Sequence, residues 1–177
     1  MHQSGVCYFR MNRLAGSPLV MFVILLCVAI DQATKWLAMK YLGPDGFISF
    51  AGDVFRLQYA ENTGAFLSLG SSLPQPWRHI VFTVFVGLFL LALLAYVLCN
   101  RTLSPTYRAY LSLVCGGGLS NLIDRIVYDG RVVDFLNLGF GPIRTGIFNV
   151  ADLAITAGAI LLAVDSLTNK SPARSGA

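Results

Sequence analysis

The chain has 177 residues, 55% of them hydrophobic and only 12% charged, with a mean hydropathy of +0.65 and a formal net charge of +4 at pH 7. Ordinary soluble domains carry about 25% charged residues, so this composition excludes one and points to a single integral membrane domain over 1–177. The basic residues stand singly among apolar runs, which argues against nucleic acid as a partner and suits a membrane protein with basic cytoplasmic loops.

Cys7, Cys27, Cys99 and Cys115 lie at or within apolar segments with no CxxC spacing, and His2 and His79 stand far apart and away from the aspartates. No disulfide, metal site or cofactor is expected. The isolated histidines argue against HExxH zinc proteolysis and against any triad that needs a histidine base.

Arg10 and Arg13 precede an apolar run from Leu19 to Ile30. Ile24-Leu25-Leu26-Cys27 faintly resembles a lipoprotein cleavage box, but Leu26 is too bulky for it and no small-x-small site follows, so the run is read as a retained helix. Met11 is a second candidate start, which would make 1–10 an upstream extension; residues 1–17 are read as a cytoplasmic segment. A helix needs about 20 residues to cross the hydrocarbon, so this one must continue through Asp31-Gln-Ala-Thr-Lys35 to Met39. Asp31 and Lys35, four apart, share a helix face and can pair. Either they neutralise each other near a helix end, or their face lines a polar cavity.

From Tyr41 to Pro76 the chain is less apolar and rich in turn residues. Phe55, Leu57 and Tyr59 alternate with Arg56 and Gln58, which predicts a strand in a small antiparallel sheet on the outer face. Asn62-Thr63-Gly64 follows, as a turn or as part of a site, and then a short interfacial helix is expected. The Gly and Ser content between Asn62 and Pro76 suggests a lid. Ile80 to Cys99 is the clearest span, with Trp77 and Tyr96 as interfacial anchors. After a turn at Asn100–Pro105, a third helix is predicted from Tyr107 to Ile123, where Gly116, Gly117 and Gly118 allow close helix packing. At its end Asn121, Asp124 and Arg125 share a face.

Asp129-Gly130 marks a turn, and Arg131 to Leu138 alternates as a strand that puts Asp134 with Val132 and Leu136 on one face. The fourth helix is predicted from Val150 to Leu167, with Asn149 as its N-cap and Asp152 at N3, where free amides and the helix dipole favour a carboxylate. Residues 169–177 are read as a disordered cytoplasmic tail. Four spans put both termini on one side. Arg10, Arg13, Arg101, Arg108, Lys170 and Arg174 lie there in short segments almost free of acids, which makes that side cytoplasmic. Of the nine acidic residues, all but Asp165 then fall on or near the opposite face, where Asp134 and Asp152 meet the Asp31, Asn62 and Asn121 segments.

Two neighbouring carboxyls share a proton, so one can act as general base on a water and the other as acid toward the carbonyl or leaving amine. Such a pair hydrolyses peptides without Ser, Cys, His or metal. On the residues alone, the alternative is a small proton-coupled transporter using the same intramembrane carboxylates, although neither an inverted repeat nor a mid-membrane charge marks one.

Five blocks in order carry a resemblance: Asp31-Gln-Ala-Thr-Lys35, Glu61-Asn62-Thr-Gly64-Ala65, Gly118-Leu-Ser-Asn121-Leu-Ile-Asp124-Arg125, Val133-Asp134-Phe135 and Phe148-Asn149-Val-Ala151-Asp152. Through them nearly the whole chain resembles the bacterial lipoprotein signal peptidases, or signal peptidase II. The resemblance implies an all-α integral membrane aspartyl protease with four transmembrane helices and a small extracytoplasmic β-cradle, in the bacterial cytoplasmic (inner) membrane. It would cleave prolipoproteins just before the diacylglyceryl-modified cysteine, in contact with membrane lipid, and be inhibited by globomycin. By the same resemblance Asp134 and Asp152 are the catalytic pair, and Asn62, Asn121 and Arg125 bind substrate. Asp31, Lys35, Gly64, Asp124 and Asn149 support the site. Ser120 departs from the glycine common before the motif asparagine, and its hydroxymethyl group is expected to narrow the substrate groove or shift Asn121. The helix N-terminus beneath Asp152 favours it as the ionised partner, with Asp134 protonated.

Overall fold

The structure is a computed structural model that describes residues 17–43, 46–64 and 72–168. The expectations for Cys7, the Met11 start, Arg10, Arg13, Lys170, Arg174, residues 65–71 of the Asn62–Pro76 lid, and the 169–177 tail lie outside the described residues.

Helix α1 (Ser17–Tyr41) runs unbroken through Leu26-Cys27 and on past Lys35, as its span required. Strands β1 (Phe47–Phe50) and β2 (Phe55–Asn62) form a hairpin. A short helix α2 (Gln75–His79) passes through a wider π-helical stretch (Ile80–Phe85) into α3 (Val86–Cys99), together one long helical span. Then come α4 (Pro105–Val127), β3 (Val132–Phe140), β4 (Ile143–Arg144) and α5 (Val150–Thr168). The sheet is antiparallel with order β1-β2-β3-β4. The alternation of residues 55–59 and 131–138 was the correct signal for β2 and β3; the π-helical stretch has none in the sequence.

Among the described residues three helices, Pro18–Tyr41, Gln75–Cys99 and Val150–Thr168, are long and apolar enough to cross a membrane. Length and composition thus mark three of the four expected spans, and α4 is not marked by them. With 23 residues α4 is long enough, but Ser112, Ser120, Asn121, Asp124 and Arg125 are buried along it. It packs between α1, α3 and α5, so its polar side chains face protein and its composition does not have to match lipid.

The three glycines of α4 explain that central place. Successive residues of a helix turn by about 100°, so each presents its bare Cα in a different direction. Gly116 lies against Ile24 and Cys27 of α1, Gly117 against Ala151 and Ile155 of α5, and Gly118 against Leu90 of α3. Between helices in lipid, attraction comes from such close packing, because the tails are as apolar as the side chains. An alanine Cβ at Gly117 would run into the Ala151 carbonyl oxygen and lie 2.8 Å from Ile155. Alanine would gain ~1 kcal/mol in helix propensity, but overpacking against backbone costs ~1–3 kcal/mol. Gly117→Ala is thus expected to lower the melting temperature in detergent, while Gly87→Ala, whose Cβ would meet only Leu122 at 3.6 Å, leaves it unchanged or higher. Equal melting temperatures for the two would contradict this account.

The cytoplasmic assignment of Arg108 rested on its charge, but the guanidinium also has a structural task. It donates to the carbonyl oxygens of Val97 at 2.9 Å and Asn100 at 2.7 Å, satisfying free carbonyls at the C-terminal end of α3.

Candidate active site

The local chain path brings the motif residues together in two steps. First, β3 pairs with β2 so that Asn62 faces Val132 and Ala60 faces Asp134, in a register that Arg131 and Glu61 clasp at 2.7 Å on the exposed edge. Second, after β4 the chain returns along β3. The Phe135 and Leu136 amides donate to the Phe148 carbonyl, and the Phe148 amide donates to Leu136. Asn149, the next residue, therefore starts α5 beside Asp134.

Asn149 caps α5 as its position predicted. Its Oδ1 accepts from the Asp152 amide at 2.9 Å, and Asp152 Oδ2 accepts from the Asn149 amide at 3.4 Å, a reciprocal capping box. The same side chain donates from Nδ2 to Asp134 Oδ1 at 2.7 Å and to Asn121 Oδ1 at 3.0 Å. Asn121 in turn donates to Asp152 Oδ1 at 2.9 Å, and Asn62 donates to Asp134 Oδ2 at 2.9 Å. Two asparagines thus tie the two carboxyls into one buried network, with Asp134 2% and Asp152 6% exposed. Burial pushes the Asp134 carboxyl up to about 7, against the pull of the Asn62 and Asn149 hydrogen bonds, and the neighbouring Asp152 adds to the rise.

Asp31 and Lys35 do more than neutralise each other. Lys35 Nζ donates to Asp31 at 2.7 Å, to Asp124 at 2.9 Å and to Asn121 Oδ1 at 2.9 Å, using all three ammonium donors while only 1% exposed. The two carboxylates it joins each hold backbone next to one of the paired aspartates. Asp31 Oδ1 accepts from the Ala151 amide at 2.8 Å, and Asp124 Oδ2 accepts from the Val133 amide at 3.0 Å. One lysine therefore sits at the centre of a yoke that reaches the residues just before Asp134 and Asp152.

Arg125 reaches the Gly64 carbonyl through Nη2 at 2.6 Å, and the Gly64 amide donates to Asn62 Oδ1 at 2.9 Å. Its Nε is buried without an acceptor among the described residues. Beside it opens a cavity of about 410 Å³, with Asn121, Arg125 and Asp152 at its polar end and Val86, Ile155 and Ile160 along its apolar walls. A buried guanidinium donor next to a carboxyl, at the end of an apolar channel, suits the polar backbone of an otherwise apolar chain.

All ten residues singled out from the sequence thus meet in one region. One other was missed. Gln32 donates to Asp124 at 2.7 Å and to the Ser120 hydroxyl at 3.1 Å, and nothing in its spacing distinguishes it from a solvated neighbour of Asp31. Ser120 corrects an expectation. Its hydroxyl is fully buried and donates to Asp31 Oδ2 at 2.7 Å, so the side chain is turned toward α1 and joins the yoke instead of narrowing the cavity.

Comparison with known proteins gives the family and the fold. The family model for signal peptidase (SPase) II matches residues 23–168. A lipoprotein signal peptidase of Pelodictyon phaeoclathratiforme is 37% identical over 80% of this chain and 86% of its own length. One from Caldanaerobacter subterraneus subsp. tengcongensis is 39% identical over 79% and 90%, and one from Borrelia hermsii 32% identical over 90% and 94%. A bacterial membrane enzyme structure solved by the in meso method at 2.3 Å shares the fold with a TM-score of 0.75, at 24% identity over 89% of this chain and 93% of that one. A second, solved at 1.9 Å, gives 0.71 at 24% identity over 86% and 94%. None of these similarities supports a transporter. With the family model covering most of its length and relatives above 30% identity over most of theirs, the chain belongs to the signal peptidase II family.

Proposed function

We propose that this chain is an aspartyl endopeptidase of the bacterial inner membrane that removes the signal peptide from prolipoproteins, hydrolysing the bond just before the diacylglyceryl-modified cysteine. The observation that carries the reading is the linkage of Asp134 and Asp152 through Asn149 and Asn121, beside a cavity into which Asp152 and Arg125 open. Asp134 holds the shared proton, in keeping with its raised pKa, and ionised Asp152 acts as base on a water. That water attacks the scissile carbonyl carbon as its proton passes to Asp152, while Asp134 protonates the carbonyl oxygen. Collapse of the tetrahedral intermediate returns that proton to Asp134, and Asp152 protonates the departing cysteine nitrogen. The products are a signal peptide with a new carboxylate and a lipoprotein with a free N-terminal cysteine.

Asn62, Asn121 and Arg125 orient the substrate backbone, with the Arg125 Nε, which has no acceptor among the described residues, as a donor for a peptide carbonyl. Asp31, Lys35, Gly64, Asp124 and Asn149 hold these groups in place. In this reading α4 is the fourth span, both termini are cytoplasmic, and the sheet forms a cradle on the extracytoplasmic face. Membrane lipid surrounds the single peptidase domain, and globomycin is an expected inhibitor.

The test is a reconstituted cleavage assay on one prolipoprotein with and without the diacylglyceryl group. Cleavage of the modified form alone is expected, with cysteine as the first residue of the product. Equal cleavage of both forms, or a product beginning elsewhere, would contradict the assignment.

A further inference from the structure

A second opening lies away from the aspartates, between the last two turns of α1 and the α1-facing side of the sheet. It has a volume of about 320 Å³, and its walls include Leu37, Ala38 and Tyr41 of α1, Ile48 of β1, Leu57 of β2 and Phe135 of β3. The hydroxyl of Thr34, also at the wall, is engaged by the carbonyl oxygens of Ile30 and Asp31 at 2.9 Å each, so it offers an incoming group little. Successive strand residues point to opposite faces, so Phe135 faces this groove while Asp134 faces the asparagine network. Neither of the paired carboxyls is among its lining residues.

We infer that this groove binds one acyl chain of an anionic phospholipid, with the lipid phosphate held at Lys40. The groove lies at the end of a helix long and apolar enough to cross a membrane, the level at which a spanning helix meets the polar headgroups. Lys40 Nζ rests 4.8 Å from the centre of the Trp36 ring and 5.2 Å from that of Tyr41, a groove residue, and pairs with no carboxylate among the described residues. A cation between two aromatic rings at a helix end is suited to the phosphate level of a membrane. Beside the groove Phe47, Ile48 and Phe50 of β1 are about half exposed, apolar surface that lipid would cover. Phosphate at Lys40 and hydrocarbon along Leu37, Leu57 and Phe135 are the two ends of one molecule.

The experiment places the full chain in nanodiscs of phosphatidylglycerol with a trace of the same lipid carrying a photoreactive group midway along one acyl chain, and maps the labelled residues. Label is expected to concentrate on 34–42, 47–57 and Phe135. Leu37→Trp and Ile48→Trp, which fill the groove from opposite walls, should each reduce it several-fold without changing the label on Leu88 and Leu91 of α3. Lys40→Gln should reduce it about fivefold, as expected for one basic side chain at an anionic surface. Even labelling of all lipid-facing helices, unaffected by both tryptophans, would reduce the site to ordinary boundary lipid and overturn the inference. Loss of the label on adding a diacylglyceryl prolipoprotein peptide would assign the groove to substrate instead. Labelling unchanged in Lys40→Gln would remove the phosphate contact. None of these readouts depends on peptidase activity.

Discussion

Asparagine in place of either Asp134 or Asp152 is expected to lower turnover of a diacylglyceryl prolipoprotein by ~10³-fold or more, because positioned acid and base groups contribute factors of this order. Asparagine keeps the size and an accepting oxygen, but it can neither take a proton from water nor give one to a carbonyl. Since the two carboxyls work on one proton, the double variant should be little worse than either single one. Circular dichroism and the melting transition should persist in all three. Activity above a tenth of wild type in either single variant, or recovery on adding zinc, would exclude the pair as the reacting groups.

The same variant reports on the resting proton. Asp134 is raised from 3.8 to about 7, chiefly by burial, so between these values the folded chain keeps a proton that the unfolded chain has lost. The stabilisation from that proton is complete below about pH 4 and is lost as pH rises through 7. Asp134→Asn lacks the titration, so its melting temperature relative to wild type should shift upward between pH 4 and pH 8. A downward shift would mean that the hydrogen bonds from Asn62 and Asn149 outweigh burial and keep the carboxylate ionised.

Much of this site could be read from spacing, for reasons that differ residue by residue. Asn149 and Asp152 were legible because a capping box is local: three residues and one helix start determine it. Asp31 and Lys35 were legible as a pair, but not as a pair shared with Asp124, since that contact joins α1 to α4 across 89 positions that no periodicity connects. Gln32 was invisible for the same reason. The orientation of Ser120 depended on Gly116 bringing α4 close to α1, which turns a residue expected to crowd the cavity into a donor for Asp31. Hydropathy marks three of the four expected spans among the described residues because it assumes that each helix faces lipid, and α4 buries Ser112, Ser120, Asn121, Asp124 and Arg125 against its neighbours.

Lys35→Met is expected to have the largest effect on stability of any single change at the yoke. Removing one partner from a buried ion cluster leaves uncompensated charge, which costs ~3–5 kcal/mol, whereas replacing the whole cluster by neutral groups is often close to neutral. Here Met would leave Asp31 at 0% and Asp124 at 1% exposure with no cation between them. The loss should appear as a lower midpoint of thermal unfolding in detergent. Adding Asp31→Asn and Asp124→Asn to Lys35→Met should recover most of it, because an asparagine oxygen can still accept from the Ala151 and Val133 amides. A triple variant as unstable as Lys35→Met would mean that the lysine acts by filling space, and a Lys35→Met chain within ~1 kcal/mol of wild type would contradict the ion cluster as a source of stability.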